Sequence, residues 1–291
     1  MDEEEIKFWV WLSKIDGIGP IKTIELLKKF EISKLWDISK EELICEGISP
    51  STAEKIVNEQ YKFKLDNYLK YMKDNNIKIV PIVSKKYPNK LKQIYDPPMV
   101  LYVRGNEDIL RGIGIAVIGC RLCTTYGKQI AKEFSYLLAT NNINVISGLA
   151  IGIDTYAHVG AVEAKKPTIA VIGSGLDIIY PAQNKELVNQ IIKNDGAIVS
   201  EYIVGTKPTA MNFPARNRII SGLSNGILVV EAKKKSGTII TVDFGLEQGK
   251  EIYIVPGNIN SVNSEGTNDL IKQGAKIVTN IDDILTDINN G

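Results

Sequence analysis

Residues 212 to 222, NFPARNRIISG, place Arg216 and Arg218 directly after a Phe-Pro step. The planar guanidinium of arginine binds phosphate oxygens through paired hydrogen bonds, so this spacing suggests an anionic ligand. Residues two apart point to opposite faces of a strand and lie roughly 160° to 200° apart on a helix. We therefore expect the two arginines to have different tasks. We place this segment in a connection between a strand and a helix. One arginine would contact the ligand, and the other would brace the connection.

Glycine-rich segments follow several predicted strands. They read GCRLCTTYG from residue 119, SGLAIGIDT from 147, GSGLDIIYP from 173 and EAKKKSGT from 231. Glycine lets the backbone approach a ligand closely, and backbone amides at a helix N-terminus suit an anion. Any single loop could need glycine only for a tight turn. Several such loops at one sheet edge, together with Arg121, predict a phosphate-binding edge.

The same loops disfavour other chemistries. The first loop lacks the G-x-G-x-x-G fingerprint, and no acidic residue follows the second strand to bind a ribose, so a simple NAD site is not expected. Cys120 and Cys123 could form a redox pair, but zinc would need two more ligands, and the chain has only Cys45 and a single histidine, His158. We interpret the cysteines as incidental and His158 as structural, and we expect neither a metal nor a cofactor.

Short β-rich apolar runs alternate with helical patterns from about residue 113, which predicts an α/β fold with an extended, Rossmann-like, doubly wound and mainly parallel sheet. Two strand-like runs between residues 77 and 105 are assigned to an extension of that sheet. The predicted main strands cover residues 115–119, 144–148, 168–173, 197–202, 227–232, 251–257 and 275–280.

Residues 1–72 differ, because they show helical periodicity and no convincing strand. KIDGIGPIKTIELLKKF and, more loosely, CEGISPSTAEKIVNEQ resemble helix-hairpin-helix, or SAM-like, motifs with a glycine turn. We predict a small all-helical domain over residues 1–72 and the sheet domain over 73–291, with no winged-helix domain after it. Gly17 or Gly19 is expected to need a positive φ.

Composition sets the broad class. The chain has 291 residues, is 44% apolar and carries a net charge of +1, so it can bury a sizeable core. Its apolar runs fall short of the ~20 residues that span a bilayer, and its acidic start does not resemble a signal peptide. Few cysteines agree with a reducing compartment. We expect a cytoplasmic protein without a membrane partner.

Taken in order, these motifs resemble the DNA-processing protein A (DprA or Smf) family. The matching segments cover residues 115–280 almost without a break: GCRLCTTYG, VISGLAIGIDTYAH, IAVIGSGLDIIYP, FPARNRIISGLS, ILVVEA, KSGTIIT, EQGKEIYIVPGNI and SEGTNDLIKQGAKIV. The resemblance implies a protein that is not an enzyme. Such a protein binds and protects single-stranded DNA, forms a homodimer and loads a RecA-type recombinase onto the DNA during natural transformation.

The resemblance also implies a set of site residues. Those carried over for DNA binding are Gly119, Arg121, Ser147, Gly148, Gly152, Gly173, Phe213, Arg216, Asn217 and Arg218, and Lys185 and Lys207 are added from charge and position. Phe213 would offer its ring to a base. The implied dimer or partner surface contains Ile259, Leu270, Ile271 and Ile277.

The sequence departs from the family pattern at two of these loops. Cys120 stands where the family usually has serine, a change that is tolerable if the backbone amide binds the ligand. Ala210 stands where several relatives have a basic residue, so DNA affinity would either be lower or depend more on Lys207.

Two alternatives stay open. The lysine-decarboxylase-like nucleotide hydrolases resemble this sheet, but Thr241 occupies the position of their catalytic glutamate. The second alternative is a sensor that binds a small nucleotide at the same phosphate-binding edge.

Overall fold

The structure is a computed structural model that describes residues 3–58 and 65–290. Outside the described part lie residues 1, 2, 59–64 and 291, which belong to the two predicted domains. The end of the second predicted hairpin motif lies there as well. The strands are β1 (Ile77–Pro81), β2 (Val100–Gly105), β3 (Gly114–Gly119), β4 (Asn144–Ser147), β5 (Thr168–Val171), β6 (Ala197–Ser200), β7 (Gly226–Glu231), β8 (Glu251–Ile254) and β9 (Lys276–Ile277).

One nine-stranded sheet contains them in the order β1-β2-β6-β5-β4-β3-β7-β8-β9. Along this order, every pair of neighbouring strands between β6 and β9 is parallel, whereas β2 runs antiparallel to both β6 and β1. The predicted α/β fold and the extension of the sheet by residues 77–105 are therefore confirmed. The predicted strand at 275–280 is shorter than expected, because only Lys276 and Ile277 pair with β8.

Helices cover both faces of the sheet. They are α1 (Glu3–Lys14), α2 (Pro20–Leu27), α3 (Ile32–Asp37), α4 (Lys40–Cys45), α5 (Pro50–Ile56), α6 (Leu65–Asp74), α7 (Asn89–Lys92), α8 (Thr125–Thr140), α9 (Ile153–Glu163), α10 (Lys185–Lys193), α11 (Asn212–Leu223), α12 (Gly237–Glu247), α13 (Glu265–Lys272) and α14 (Asp282–Asn290). No helix in the described ranges has the length and apolar character needed to cross a membrane.

The central strand β3 shows how the layers form. Ile115 and Val117 pack into a core with α8, α9 and α14, whereas Ala116 and Ile118 pack into the larger core on the opposite face. Side chains alternate along a strand, so a strand covered on both faces must be apolar at every position. This requirement explains the uninterrupted apolar run that identified β3 in the sequence.

Helices α1 and α6 pack against the edge of the sheet formed by β1 and β2. Trp11 of α1 is fully buried, and the Ser13 hydroxyl lies 3.3 Å from the Tyr102 hydroxyl of β2. Gly17 has φ +77° and Gly47 has φ +80°, so both hairpin turns use the left-handed region that glycine tolerates. The expected positive φ is thus found at Gly17. The division into domains at residue 72 stays a prediction.

The segment NFPARNRIISG lies in α11 rather than in a connection between a strand and a helix, so that interpretation was wrong. The preceding residues 201–211 form the connection. The apolar residues Ile219 and Ile220 of this segment pack in the larger core on one face of the sheet. This packing stabilises the segment as a helix. Because Arg216 and Arg218 are two residues apart on one helix, their side chains point in different directions.

Candidate nucleic-acid interface

A pocket of about 710 Å³ opens at the carboxyl ends of β3 and β7. The strand order reverses between these two strands, since β4 to β6 continue on one side and β8 and β9 on the other. Ligands of doubly wound sheets bind at such a switch point. We call this cavity the main pocket. It is lined by the loops after β3 and β7 and by the first two turns of α11.

An exposed cation and two aromatic rings stand at the edge of the main pocket. The guanidinium carbon of Arg121 lies 5.6 Å from the ring centroid of Phe213, and the ring of Tyr180 lies 5.7 Å from the same ring. Arg121 and Tyr180 are exposed, whereas Phe213 is partly buried. An arginine near a ring face is attracted by the ring quadrupole, so Phe213 orients Arg121 while its charge still faces solvent.

Arg216 lies deeper in the main pocket and is only 4% exposed. Its guanidinium donates hydrogen bonds to the carbonyl oxygens of Gly148, at 2.6 Å, and Val171. Burial lowers the pKa of Arg216 to about 10, and the carboxylate of Asp154 opposes that shift. The side chain therefore keeps its charge at neutral pH and lies on the same inner wall of the pocket as the carboxylate of Asp154.

Arg218 points away from the main pocket. It donates to both carboxylate oxygens of Glu201 at 2.7 Å and forms an ion pair with Asp96 at 2.8 Å. Ala215 supplies a further acceptor through its carbonyl oxygen. The predicted contact of Arg218 with DNA is contradicted by this geometry, because its guanidinium is buried among partners on the protein. Arg218 is instead the bracing arginine of the pair.

Three of the loop amides at this edge already have acceptors within the protein. The amides of Gly148 and Ala150 donate to the Asp154 carboxylate, and the amide of Cys120 donates to the Glu231 carbonyl oxygen. These three amides are therefore already used within the protein, whereas phosphate binding by the other loop amides stays a prediction. Gly152 is the N-cap of α9, and Asp154 lies in the first turn of that helix.

The remaining predicted residues divide into supporting and lining positions. Ser147 is buried and donates to the Val117 carbonyl oxygen, so its side chain supports the sheet. Gly119 and Asn217 line the main pocket, and Gly173 packs under Phe213. Lys185 and Lys207 are exposed outside the pocket wall.

Gly152 is required by the backbone. Its φ is +86°, and a Cβ atom there would collide with the carbonyl oxygens of Cys120 and Arg121. The loop after β3 and the start of α9 are therefore in direct contact, and this contact determines where Arg121 can lie.

Two acidic residues that sequence reasoning did not assign to the site position its loops. Glu231, at the end of β7, is buried and accepts hydrogen bonds from the amide and hydroxyl of Thr124, the N-cap of α8. Asp154 similarly ties the loop after β4 to α9. The position of Glu231 at a strand end was visible in the sequence, but its partner Thr124 comes from a distant segment.

The histidine has the predicted structural role. His158 is fully buried, and its Nδ1 lies 2.9 Å from the Thr168 hydroxyl. Burial lowers the pKa of His158 to about 3, so the ring is neutral at physiological pH. Within the described ranges, no three His, Cys, Asp or Glu residues are grouped as metal ligands.

The proposed dimer residues differ in exposure. Ile259 is 87% exposed and Ile277 is 48% exposed, so both are accessible to a partner. Ile271 is partly buried, and Leu270 is in the core. Leu270 was therefore wrongly assigned to a surface: its side chain faces the sheet from α13.

The switch-point pocket places the protein among the doubly wound α/β proteins that bind ligands at the sheet edge. The family model described as DNA recombination-mediator protein A matches residues 78–289. The DNA processing protein DprA of Bacillus subtilis is 41% identical over 231 residues, 79% of this chain and 77% of that protein. That of Streptococcus pneumoniae is 44% identical over 207 residues, 71% of this chain and 72% of that protein. The chain belongs to the DNA recombination-mediator protein A family.

Solved structures agree with this membership. The crystal structure of DNA processing protein A from Streptococcus pneumoniae matches with a TM-score of 0.79 and 32% identity, covering 98% of each chain. DNA processing protein A from Helicobacter pylori, studied for its single-stranded DNA binding mode, matches with a TM-score of 0.66 and 30% identity, covering 74% of this chain and 98% of that one. The family resemblance seen in the motifs is confirmed.

Proposed function

We propose that the protein binds single-stranded DNA at the main pocket. The observation that carries the proposal is the exposed Arg121 beside Phe213 and Tyr180 at the switch-point pocket. Cations contact the backbone and aromatic rings contact bases in sequence-tolerant binding of single strands. The single-stranded DNA binding studied in the Helicobacter pylori relative supports the same ligand here.

In this proposal Arg121 contacts a phosphate, Arg216 supplies positive potential from below, and Asn217 lines the pocket between them. Tyr180, which is 51% exposed, presents more ring surface to a base than Phe213 does. Lys207, next to the pocket-lining Pro208, attracts the backbone at the rim. Lys185 contributes long-range charge only.

The proposal extends to the role of the bound DNA. The protein acts without catalysis as a mediator in the cytoplasm, protecting single-stranded DNA and loading a RecA-type recombinase during natural transformation or recombination. Membership of a family described as recombination mediators supports this role. A homodimer would form through the exposed Ile259 and Ile277, with the SAM-like helical domain of residues 1–72 as an additional module.

Titration of a labelled oligothymidylate at several salt concentrations tests the binding proposal. Affinity should fall linearly on a logarithmic salt scale, with a slope of about 0.7 for each phosphate contacted. Arg121→Ala should weaken binding and lower that slope by about 0.7, while thermal unfolding stays unchanged because Arg121 is exposed. Equal affinity for Arg121→Ala and the unaltered protein would refute the site.

The alternative is a nucleotide sensor or hydrolase, for which the size of the main pocket is suitable. Thr241, which lines the pocket and donates to the Gly237 carbonyl oxygen, provides no carboxylate for hydrolysis. A sensor would bind mononucleotides tightly and the oligonucleotide poorly at every salt concentration. Competition between a mononucleotide and the oligothymidylate therefore separates the two functions.

A further inference from the structure

A second cavity of about 290 Å³ lies beside the main pocket. Arg121 and Leu122 line both cavities, so these two residues form a ridge between them. The other walls of the second cavity come from the first turns of α8 and α9 and from the segment after Pro181. A chain molecule that leaves the main pocket over this ridge would enter the second cavity next.

Leu122 is an exposed apolar side chain on this ridge. It is 75% exposed, although its backbone is held in place by a hydrogen bond from the Asn263 side chain to its carbonyl oxygen at 2.8 Å. The side chain thus contributes little to the core but has a defined position between two cavities. An apolar side chain presented in this way can insert between neighbouring bases and separate them.

Lys128 supplies positive charge in the second cavity. Its ammonium lies 5.6 Å from the ring centroid of Tyr156, which orients it across the cavity wall. Lys132, one turn further along α8, instead forms an ion pair with Glu163 at 2.8 Å. In the part of the chain that the structure describes, no carboxylate forms an ion pair with Lys128, so its charge is available to a phosphate.

Hydrogen-bonding groups complete the cavity. Gln183 is exposed at its edge, and Thr155 lies on the α9 side. Asn184 donates to the Thr155 hydroxyl at 2.9 Å and to the Leu149 carbonyl oxygen at 2.9 Å, which connects the two walls rigidly. The cavity therefore combines a cation, an aromatic wall and the exposed amide of Gln183, a combination that suits a nucleotide unit.

We propose that the second cavity is a continuation of the single-stranded DNA site, in which Leu122 separates two successive bases and Lys128 contacts the phosphate beyond the ridge. The inference rests on the proposed function, because it extends the path of the same ligand. It assigns a binding role to Leu122, Lys128 and Gln183, which the motif comparison had not singled out.

The test compares two oligothymidylates. The short one, about three nucleotides long, fills only the main pocket, and the longer one, about 15 nucleotides long, reaches both cavities. Lys128→Gln keeps the aliphatic stem over Tyr156 and removes the charge. We expect it to weaken binding of the longer oligonucleotide about fourfold near physiological salt and to lower its salt slope by about 0.7. Binding of the short oligonucleotide should not change.

Lys132→Gln is the matched control, since it removes a lysine from the same helix outside the cavity. Leu122→Ala should weaken binding of the longer oligonucleotide about fivefold to tenfold. Leu246→Ala, the same change at an exposed position on α12, should not weaken it. Thermal unfolding should be unchanged in all four variants.

The outcomes separate this inference from the proposed function. If the unaltered protein binds the longer oligonucleotide but Lys128→Gln and Leu122→Ala bind it equally well, the second cavity is not part of the DNA path, and DNA binding at the main pocket stands. If the unaltered protein binds neither oligonucleotide, the proposed function itself fails. A weakening by Lys132→Gln equal to that by Lys128→Gln would also overturn the inference, because general charge would then explain both.

Discussion

Replacing Arg218 with alanine removes the cation of a buried ion pair and leaves two carboxylates behind. The guanidinium makes two hydrogen bonds of 2.7 Å to Glu201, and the side chains of Arg218 and Glu201 are only 5% and 17% exposed. Removing one partner of a buried pair costs about 3–5 kcal/mol, because the remaining charge is left without compensation. Asp96, which is 37% exposed, is better solvated and adds less to this cost.

This cost is large enough to measure by calorimetry or circular dichroism. With a shift of about 2–4 °C for each kcal/mol in a protein of this size, Arg218→Ala should lower the melting temperature by about 10 °C. Arg121→Ala is the control, since its exposed side chain should change the melting temperature by less than about 2 °C.

The combined change Arg218→Met and Glu201→Leu tests the cause. Removing both charges leaves only the partly exposed carboxylate of Asp96 without its partner, so the double variant should be more stable than Arg218→Ala. The reasoning would be refuted if Arg218→Ala melted within about 1 °C of the unaltered protein, or if it lost DNA binding while its stability was unchanged.

Three other substitutions test the supports of the fold and site. Gly152→Ala should cost more stability than Gly205→Ala, since both glycines have a positive φ but only Gly152 lacks space for a Cβ atom; denaturant unfolding measures the difference. Glu231→Gln should cost about 1–3 kcal/mol by calorimetry and weaken oligonucleotide binding, because one donor of Thr124 loses its acceptor. Burial raises the pKa of Glu107, but hydrogen bonds from Lys78 and Lys86 outweigh it and lower that pKa to about 2. The resulting stability is present above about pH 4.5 and lost as pH falls towards 2, so Glu107→Gln should flatten this part of the stability curve measured by urea unfolding.

Periodicity and motif order were sufficient to predict the sheet. A central parallel strand must be apolar on both faces, so runs such as IAVIG and ILVVEA could be identified without the structure. The carboxyl ends of these strands then had to meet at one edge, which located the main pocket and its residue Arg121. These inferences depend only on local pattern and topology.

The directions of side chains in α11 could not be predicted in the same way. Arg216 and Arg218 have equal charge and similar neighbours in the sequence, but only Arg218 lies near Glu201 and Asp96 in the fold. Leu270 was misassigned for a related reason. It lies in the core, whereas the next residue of α13, Ile271, is only partly buried. Such differences arise from tertiary partners, which the spacing of residues along one segment does not specify.

The occupied loop amides change how the site is expected to recognise DNA. Many phosphate sites use backbone amides at a helix N-terminus, which hold a phosphate in a fixed position. Here Asp154 and the carbonyl oxygen of Glu231 accept hydrogen bonds from several of those amides, so the loops are rigid supports for side chains. At the proposed DNA site, recognition would then depend on Arg121 and, beyond the ridge, on Lys128, whose long side chains can follow a flexible backbone. Because cations on flexible stems bind phosphates with little regard to the attached base, this arrangement favours binding that is sensitive to salt and tolerant of sequence.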